Sequence, residues 1–209
     1  MVFIPEDLLI HIIRRVSAEG FRFLGPFIAA SKQTNNAAFS KEVLLAVDLS
    51  EFLLNTSLAN KDSVYRPFFM RCVEAGNGHA NQLEGLRILC QEGPSEAAFS
   101  MLNLASPASR FAPFVIGVFR ICSGDFETGM ASMLKLWDLV GSLDEAVQMA
   151  DLVIMQIATM GTAESGLYNN THSYPLLDVP HSTYITCAAD SVCEECFTYW
   201  YSLIVRSIC

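Results

Sequence analysis

The chain has 209 residues, 52% of them hydrophobic and 17% charged, a composition that can bury a sizeable core and argues against global disorder. Its net charge of -9, from 13 basic and 22 acidic residues, argues against a surface that tracks nucleic-acid phosphates or anionic membrane, because both need clustered Lys and Arg. No apolar run reaches membrane-spanning length; the longest are broken by Asp48, Glu51, Arg120 and Asp151.

Ile4, Leu8, Leu9, Ile12, Ile13 and Val16 recur at helical spacing, and Pro5, Glu6 and Asp7 suit the first turn of that helix. Arg14 and Arg15 suit its last turn. After Gly20, Phe21 to Ala30 is a second apolar segment, shortened or kinked by Pro26, and a third short segment runs from Lys32 to Phe39. The apolar run from Val43 to Leu49 reads as a short strand or as an extended stretch laid on helices; periodicity does not decide. Asn55 to Lys61 is polar and aperiodic, which places a domain boundary there.

The central region repeats. Residues 83–104 fall on 115–136 at a shift of 32, so that Gly85 meets Gly117 and Cys90 meets Cys122. The same shift lays Ser100-Met101-Leu102 on Ser132-Met133-Leu134. Each unit reads as two helices joined by a turn, Gln91 to Pro94 in the first and Ser123 to Asp125 in the second. A helix–turn–helix unit with a period in the low thirties is the signature of a tetratricopeptide-like solenoid. Two units need capping helices, and Val64 to Ala75 and Leu143 to Met160 are placed to supply them. The second opens with Ser142 and Glu145 at capping-box spacing. Residues 161–189 read as a long loop, and Phe197, Trp200, Tyr201, Ile204 and Ile208 mark a final amphipathic helix.

The seven cysteines are scattered, and with no positively charged leader at Met1 to Asp7 they read as reduced thiols of the cytoplasm or nucleus. Cys193 and Cys196 form one C-x-x-C, flanked by Cys187 and Cys209, with His172 and His181 in the preceding loop. Four thiolates suit tetrahedral zinc, but structural zinc sites usually pair two such knuckles, so no metal or cofactor is expected. Cys90 and Cys122 sit on apolar helices and read as packing residues, as do the methionines at 130, 133, 149, 155 and 160. No phosphate-binding loop, His-Glu-x-x-His or Gly-x-Ser-x-Gly is present, so no catalytic residue is assigned and the chain is not read as an enzyme.

The opening Ile4-Pro5-Glu6-Asp7-Leu8-Leu9, followed by Ile12, Ile13 and Val16, resembles the start of an F-box. Ala30-Ser31-Lys32 falls where that family has Val-Ser-Lys, and Ser40 to Leu44 is similar to the segment that closes the module in plant F-box proteins. The whole chain resembles a plant subfamily that joins an F-box to tetratricopeptide-like (Sel-like) repeats and a Cys-bearing tail. It departs from the pattern at Ala30, where the family has Val, and at Thr34, where it has an aromatic residue; both are expected to shrink the module's core.

The resemblance implies an all-α chain: a three-helix F-box in residues 1–54, a short helical-repeat solenoid in 62–160, and a loop with a Cys-bearing C-terminal helix in 161–209. It implies a substrate receptor of a Skp–cullin–F-box ubiquitin ligase. The Skp adaptor would bind through Ile4, Pro5, Leu8, Leu9, Ile12, Ile13 and Val16, and the repeats would hold an unidentified target protein. Three rivals predict otherwise. A generic repeat scaffold buries Leu8, Ile12 and Ile13 against the chain's own helices at 62–75. A zinc-stabilised regulator binds metal at the tail. An enzyme needs a concave site with convergent polar groups.

Overall fold

The structure is a computed structural model and describes residues 4–106, 109–162, 166–180 and 193–209. Among the described residues it is all-helical, with twelve α-helices and no strand.

Helix α1 (Glu6–Ser17) begins immediately after Pro5, with its acidic and basic residues at the expected ends. A 3-10 turn (Phe21–Leu24) leads straight into α2 (Gly25–Ala30). Pro26 stands in the first turn of α2, where a missing N–H costs nothing, so it starts the helix instead of kinking one. Helix α3 (Lys32–Ala38) is closed at its N-terminus by a capping box: Thr34 N–H donates to Ser31 Oγ and Ser31 N–H donates to Thr34 Oγ1. The run from Val43 to Leu49 contains no strand. Its first half belongs to α4 (Lys41–Ala46), and Val47 and Leu49 continue as a buried connection to α5 (Ser50–Leu54).

The polar stretch after α5 is a packed seam. Thr56, in a 3-10 turn (Thr56–Ala59), is fully buried and donates to Gln156 O at 2.6 Å. Asn60 Nδ2 donates to Met160 O, and Gln156 Nε2 to Leu53 O. Across the same seam Phe21 meets Phe52 edge-on, centroids 4.9 Å apart, and Phe52 stacks on Phe69 at 5.3 Å. Buried apolar residues from Leu9 to Cys209 therefore form one continuous core. Asn77 locks the seam from the other side. Its Oδ1 accepts from Ala80 N at the start of α7, while its Nδ2 donates to the carbonyls of Leu44 and Val47 at 3.0 Å each. One buried side chain thus caps one helix and satisfies the open end of another.

Helix α6 (Arg66–Ala75) ends at Gly76, whose φ of 92° places it in the left-handed region that favours glycine at a helix C-terminus. Two helical hairpins follow: α7 (Gly78–Gln91) with α8 (Glu96–Ala105), then α9 (Ala112–Cys122) with α10 (Phe126–Leu139). The glycines predicted to allow close approach do so. A Cβ on Gly85 would lie 2.9 Å from Leu102 Cγ, and one on Gly117 2.5 Å from Met133 Sδ.

The two hairpins correspond, but not at a single shift. In the first helices Leu83, Leu86 and Cys90 match Val115, Val118 and Cys122 at 32, and all are buried. In the second helices the buried Ala98, Leu102 and Ala105 match Gly129, Met133 and Leu136 at 31. The cause is the turn, four residues at 92–95 and three at 123–125. The Ser-Met-Leu identity at 32 is out of phase with the packing: Leu102 is buried, whereas Leu134 is 64% exposed.

Helix α11 (Leu143–Met160) is not stacked as a third repeat; its main neighbours are residues 56–59, α7 and α12 (Glu194–Ile208). Its capping is half of a box. Ser142 Oγ accepts from Glu145 N, but the Glu145 carboxylate accepts from Gly141 N instead of from Ser142 N. Helix α12 packs on α9 and α11 through Phe197, Tyr201 and Val205. Within the region read as a long loop, residues 176–178 form a short 3-10 turn. Tyr168 there is fully buried, with its hydroxyl on Leu89 O at 2.7 Å.

Candidate docking surface on the N-terminal helix

The aliphatic residues of α1 divide into two rows. Leu9 and Ile13 are buried, with Ser17 continuing their row, and they seat the helix on α3 and α4. Leu8 and Ile12 form the other row at i, i+4 and are 51% and 40% exposed; Ile4, one residue ahead of the N-cap, is 41% exposed. Pro5 is exposed beside them, and Val16 is half-buried. Of the seven residues assigned to docking, five lie on α1, though not on one face of it, and Ile4 and Pro5 lie in the extended segment that enters it. Four of them (Ile4, Pro5, Leu8 and Ile12) are available to a partner without unfolding anything. The scaffold reading expects Leu8 and Ile12 against the chain's own helices; both face outward, and only Ile13 is inside.

The two departures from the F-box pattern do not empty the core as expected. Ala30 is exposed, so a small residue there removes no packing. Thr34 is half-buried and spends its hydroxyl and N–H on the capping box with Ser31. An aromatic residue could not make that cap.

The cysteines part company. Cys209 is buried at the chain end, where its thiol meets that of Cys90, and Leu167 N donates to its carbonyl at 2.9 Å. Cys193, at the N-cap of α12, has its sulfur 3.2 Å from that of Cys196. Cys187 and His181 lie outside the described residues. His172 hydrogen-bonds Ser202 Oγ at 3.1 Å. Among the described residues no three His, Cys, Asp or Glu side chains gather as a metal site. Burial pushes the Cys72 and Cys122 thiols up to about 12, so they pack as uncharged groups. Of the methionines, Met133, Met149 and Met160 are buried, but Met155 is 47% exposed. Among the described residues no helix is long and apolar enough to cross a membrane.

A second surface has no counterpart in the motif reading. Two adjoining hollows, of about 290 and 420 Å³, open where α2, α3 and α4 meet α6, with Phe39 in the wall of both. Phe39 and Phe68 follow no recognisable spacing. The only sequence signal was the aromatic density of residues 21–69, which core packing explains equally well.

No family model matches the chain, and neither a curated protein nor a solved structure does.

Proposed function

We propose that this chain is a non-catalytic adaptor that docks through α1, most concretely the F-box-like substrate receptor of a Skp–cullin–F-box ubiquitin ligase. The observation that carries the reading is the outward row Leu8 and Ile12 on α1, with exposed Ile4 just ahead of the helix. Leu9 and Ile13 already seat α1 on its own core, so the second row is apolar surface the chain does not use. An i, i+4 pair of outward aliphatic side chains is what a helix-in-groove contact takes up. The two hairpins would then hold the target.

The test is co-expression and pull-down with a Skp adaptor, comparing wild type with Leu8→Ala/Ile12→Ala. Each side chain has roughly half its surface left to bury, about 1 kcal/mol apiece, so the pair should weaken binding about 30-fold. The variant should still fold, since the inner row is untouched. Failure of a folded wild type to bind would sink the ligase reading.

A generic helical interaction scaffold is the second reading. It is favoured by the packing of α11 back onto residues 56–59, which gives the N-terminal helices and the hairpins one core instead of two.

A further inference from the structure

We propose that the two hollows at the junction of α2, α3, α4 and α6 are one binding site for an acidic peptide segment carrying a single large apolar side chain. The apolar side chain enters the smaller hollow, and the carboxylates meet Lys41 and Arg71 in the larger one. The smaller hollow is walled by Phe21, Gly25, Ile28, Phe39, Tyr65 and Phe68, with Arg22 the one charged residue in its lining. At about 290 Å³ it lies at the bottom of the range for ligand pockets, which suits one side chain better than a cofactor.

The charges next to it are asymmetric. Arg22 is held by the Glu51 carboxylate and Tyr65 Oη, and Arg66 by Glu84. Lys41 and Arg71 have no carboxylate within salt-bridge distance among the described residues. The Arg71 guanidinium carbon lies over the Phe39 ring, 4.2 Å from its centroid, which holds the cation in the larger hollow against the residue that walls both. Glu74 lines the same hollow and leaves it one net positive charge, a cationic spot on a chain of net charge -9. That spot favours an acidic partner and sets its orientation relative to the apolar groove.

This site needs only the folded chain. It stands whether or not α1 binds a Skp adaptor, and it is separate from the hairpins to which the ligase reading gives the target.

The probe is a fluorescein-labelled eight-residue peptide with one Phe followed by three acidic residues, read by fluorescence anisotropy on the full chain. Saturable binding is expected, several-fold weaker at high salt and lost when Phe becomes Ser or the acids become amides. Gly25→Leu fills the smaller hollow. Gly25 has helical backbone angles, and a Cβ there meets nothing within 4 Å, so the variant should fold and yet abolish binding. Arg71→Glu changes an exposed residue and should weaken binding at least about tenfold. Absence of saturable binding at about 1 mM peptide overturns the proposal. Binding that Gly25→Leu leaves intact overturns its apolar half, and indifference to Arg71→Glu overturns its charged half. Adaptor pull-down by the same two variants should be unchanged, which separates failure here from failure of the docking reading.

Discussion

Glu84→Gln should be among the most damaging single substitutions in this chain. The Glu84 side chain is 4% exposed and sits between Arg66 and Arg87, whose side chains are 16% and 3% exposed. It accepts from Arg66 Nη1 and Nη2 at 2.5 and 2.7 Å, and from Arg87 Nε and Nη2 at 3.1 and 2.8 Å. Glutamine replaces one accepting oxygen with an NH₂ that points donors at donors. It also leaves no buried carboxylate between the two guanidinium groups: beyond the one remaining amide oxygen, Arg66 keeps the Ala59 carbonyl and Arg87 keeps Gln91 and Glu92. Breaking a buried pair while its partner stays charged costs about 3–5 kcal/mol, a large share of the ~5–15 kcal/mol that holds a domain folded. In urea unfolding followed by circular dichroism, with m near ~2.5 kcal/mol/M, the midpoint should fall by about 1.5 M at neutral pH. The effect has a signature in pH. Burial alone would raise the Glu84 pKa, but the hydrogen bonds from Arg66 and Arg87 outweigh it and hold the carboxyl below its usual 4.5. Its stabilisation is therefore complete above pH 4.5 and is lost as pH falls through the lower folded value, so the gap between wild type and variant must narrow in acid. A midpoint shift under about 0.4 M at neutral pH, or a gap that does not close in acid, would refute the reasoning.

Three other predictions rest on single contacts. Gly129→Ala should destabilise by about 2–3 kcal/mol and Gly117→Ala by less, compared by thermal melts. A Cβ on Gly129 meets the Gly117 carbonyl at 2.8 Å, whereas one on Gly117 meets chiefly the flexible Met133 side chain. Burial, with Arg206 nearby, lowers the His172 pKa below 6.5, so the stability that depends on neutral His172 is present above pH 6.5 and lost as pH falls through the folded value. His172→Gln should flatten that part of the stability–pH curve; an unchanged slope would exclude His172 as its source. Among the six described cysteines, iodoacetamide on the native protein at pH 8 should label Cys193, the one that is not buried, far faster than Cys72, Cys90 or Cys122. Peptide mapping that finds Cys72 labelled as quickly would contradict the raised thiol pKa and the packing around it.

Helix positions were legible wherever local chemistry decides them. Pro5 and the acids after it start α1, Gly76 stops α6, and Ser142 starts α11. What periodicity could not resolve was which side of an apolar helix faces inward. Leu8, Ile12 and Leu9, Ile13 occupy adjacent strips of α1, and only the placement of α3 and α4 tells them apart. The repeat was legible in its first helices and misread in its second. A turn shorter by one residue shifts the phase of every later position, and three matching letters then outweighed the burial pattern that defines the repeat. Thr34 looked like a lost core residue because its partner, the Ser31 cap, is a hydrogen bond and not a packing contact. The polarity of Asn55, Thr56 and Asn60 suggested a linker for the same reason. Thr56 and Asn60 are polar because they satisfy backbone carbonyls of α11, and the Asn55 side chain accepts from the Ser57 hydroxyl within its own turn.

That seam constrains how docking and recognition can be coupled. A flexible linker would let the α1 row and the aromatic groove move independently, and either could be occupied in any orientation relative to the other. Here Asn77 ties the end of α4 to the start of α7, Thr56 and Asn60 tie residues 56–60 to α11, and the Phe21–Phe52–Phe69 cluster fills the space between. Removing any of these ties leaves a buried polar group unpaired or a cavity, each costing on the order of 1–3 kcal/mol or more. The groove is itself built from both sides of the seam, Phe21 and Phe39 before it and Tyr65 and Phe68 after it. An occupant therefore contacts the N-terminal helices and α6 together, and a partner on α1 holds that occupant at a set distance and angle.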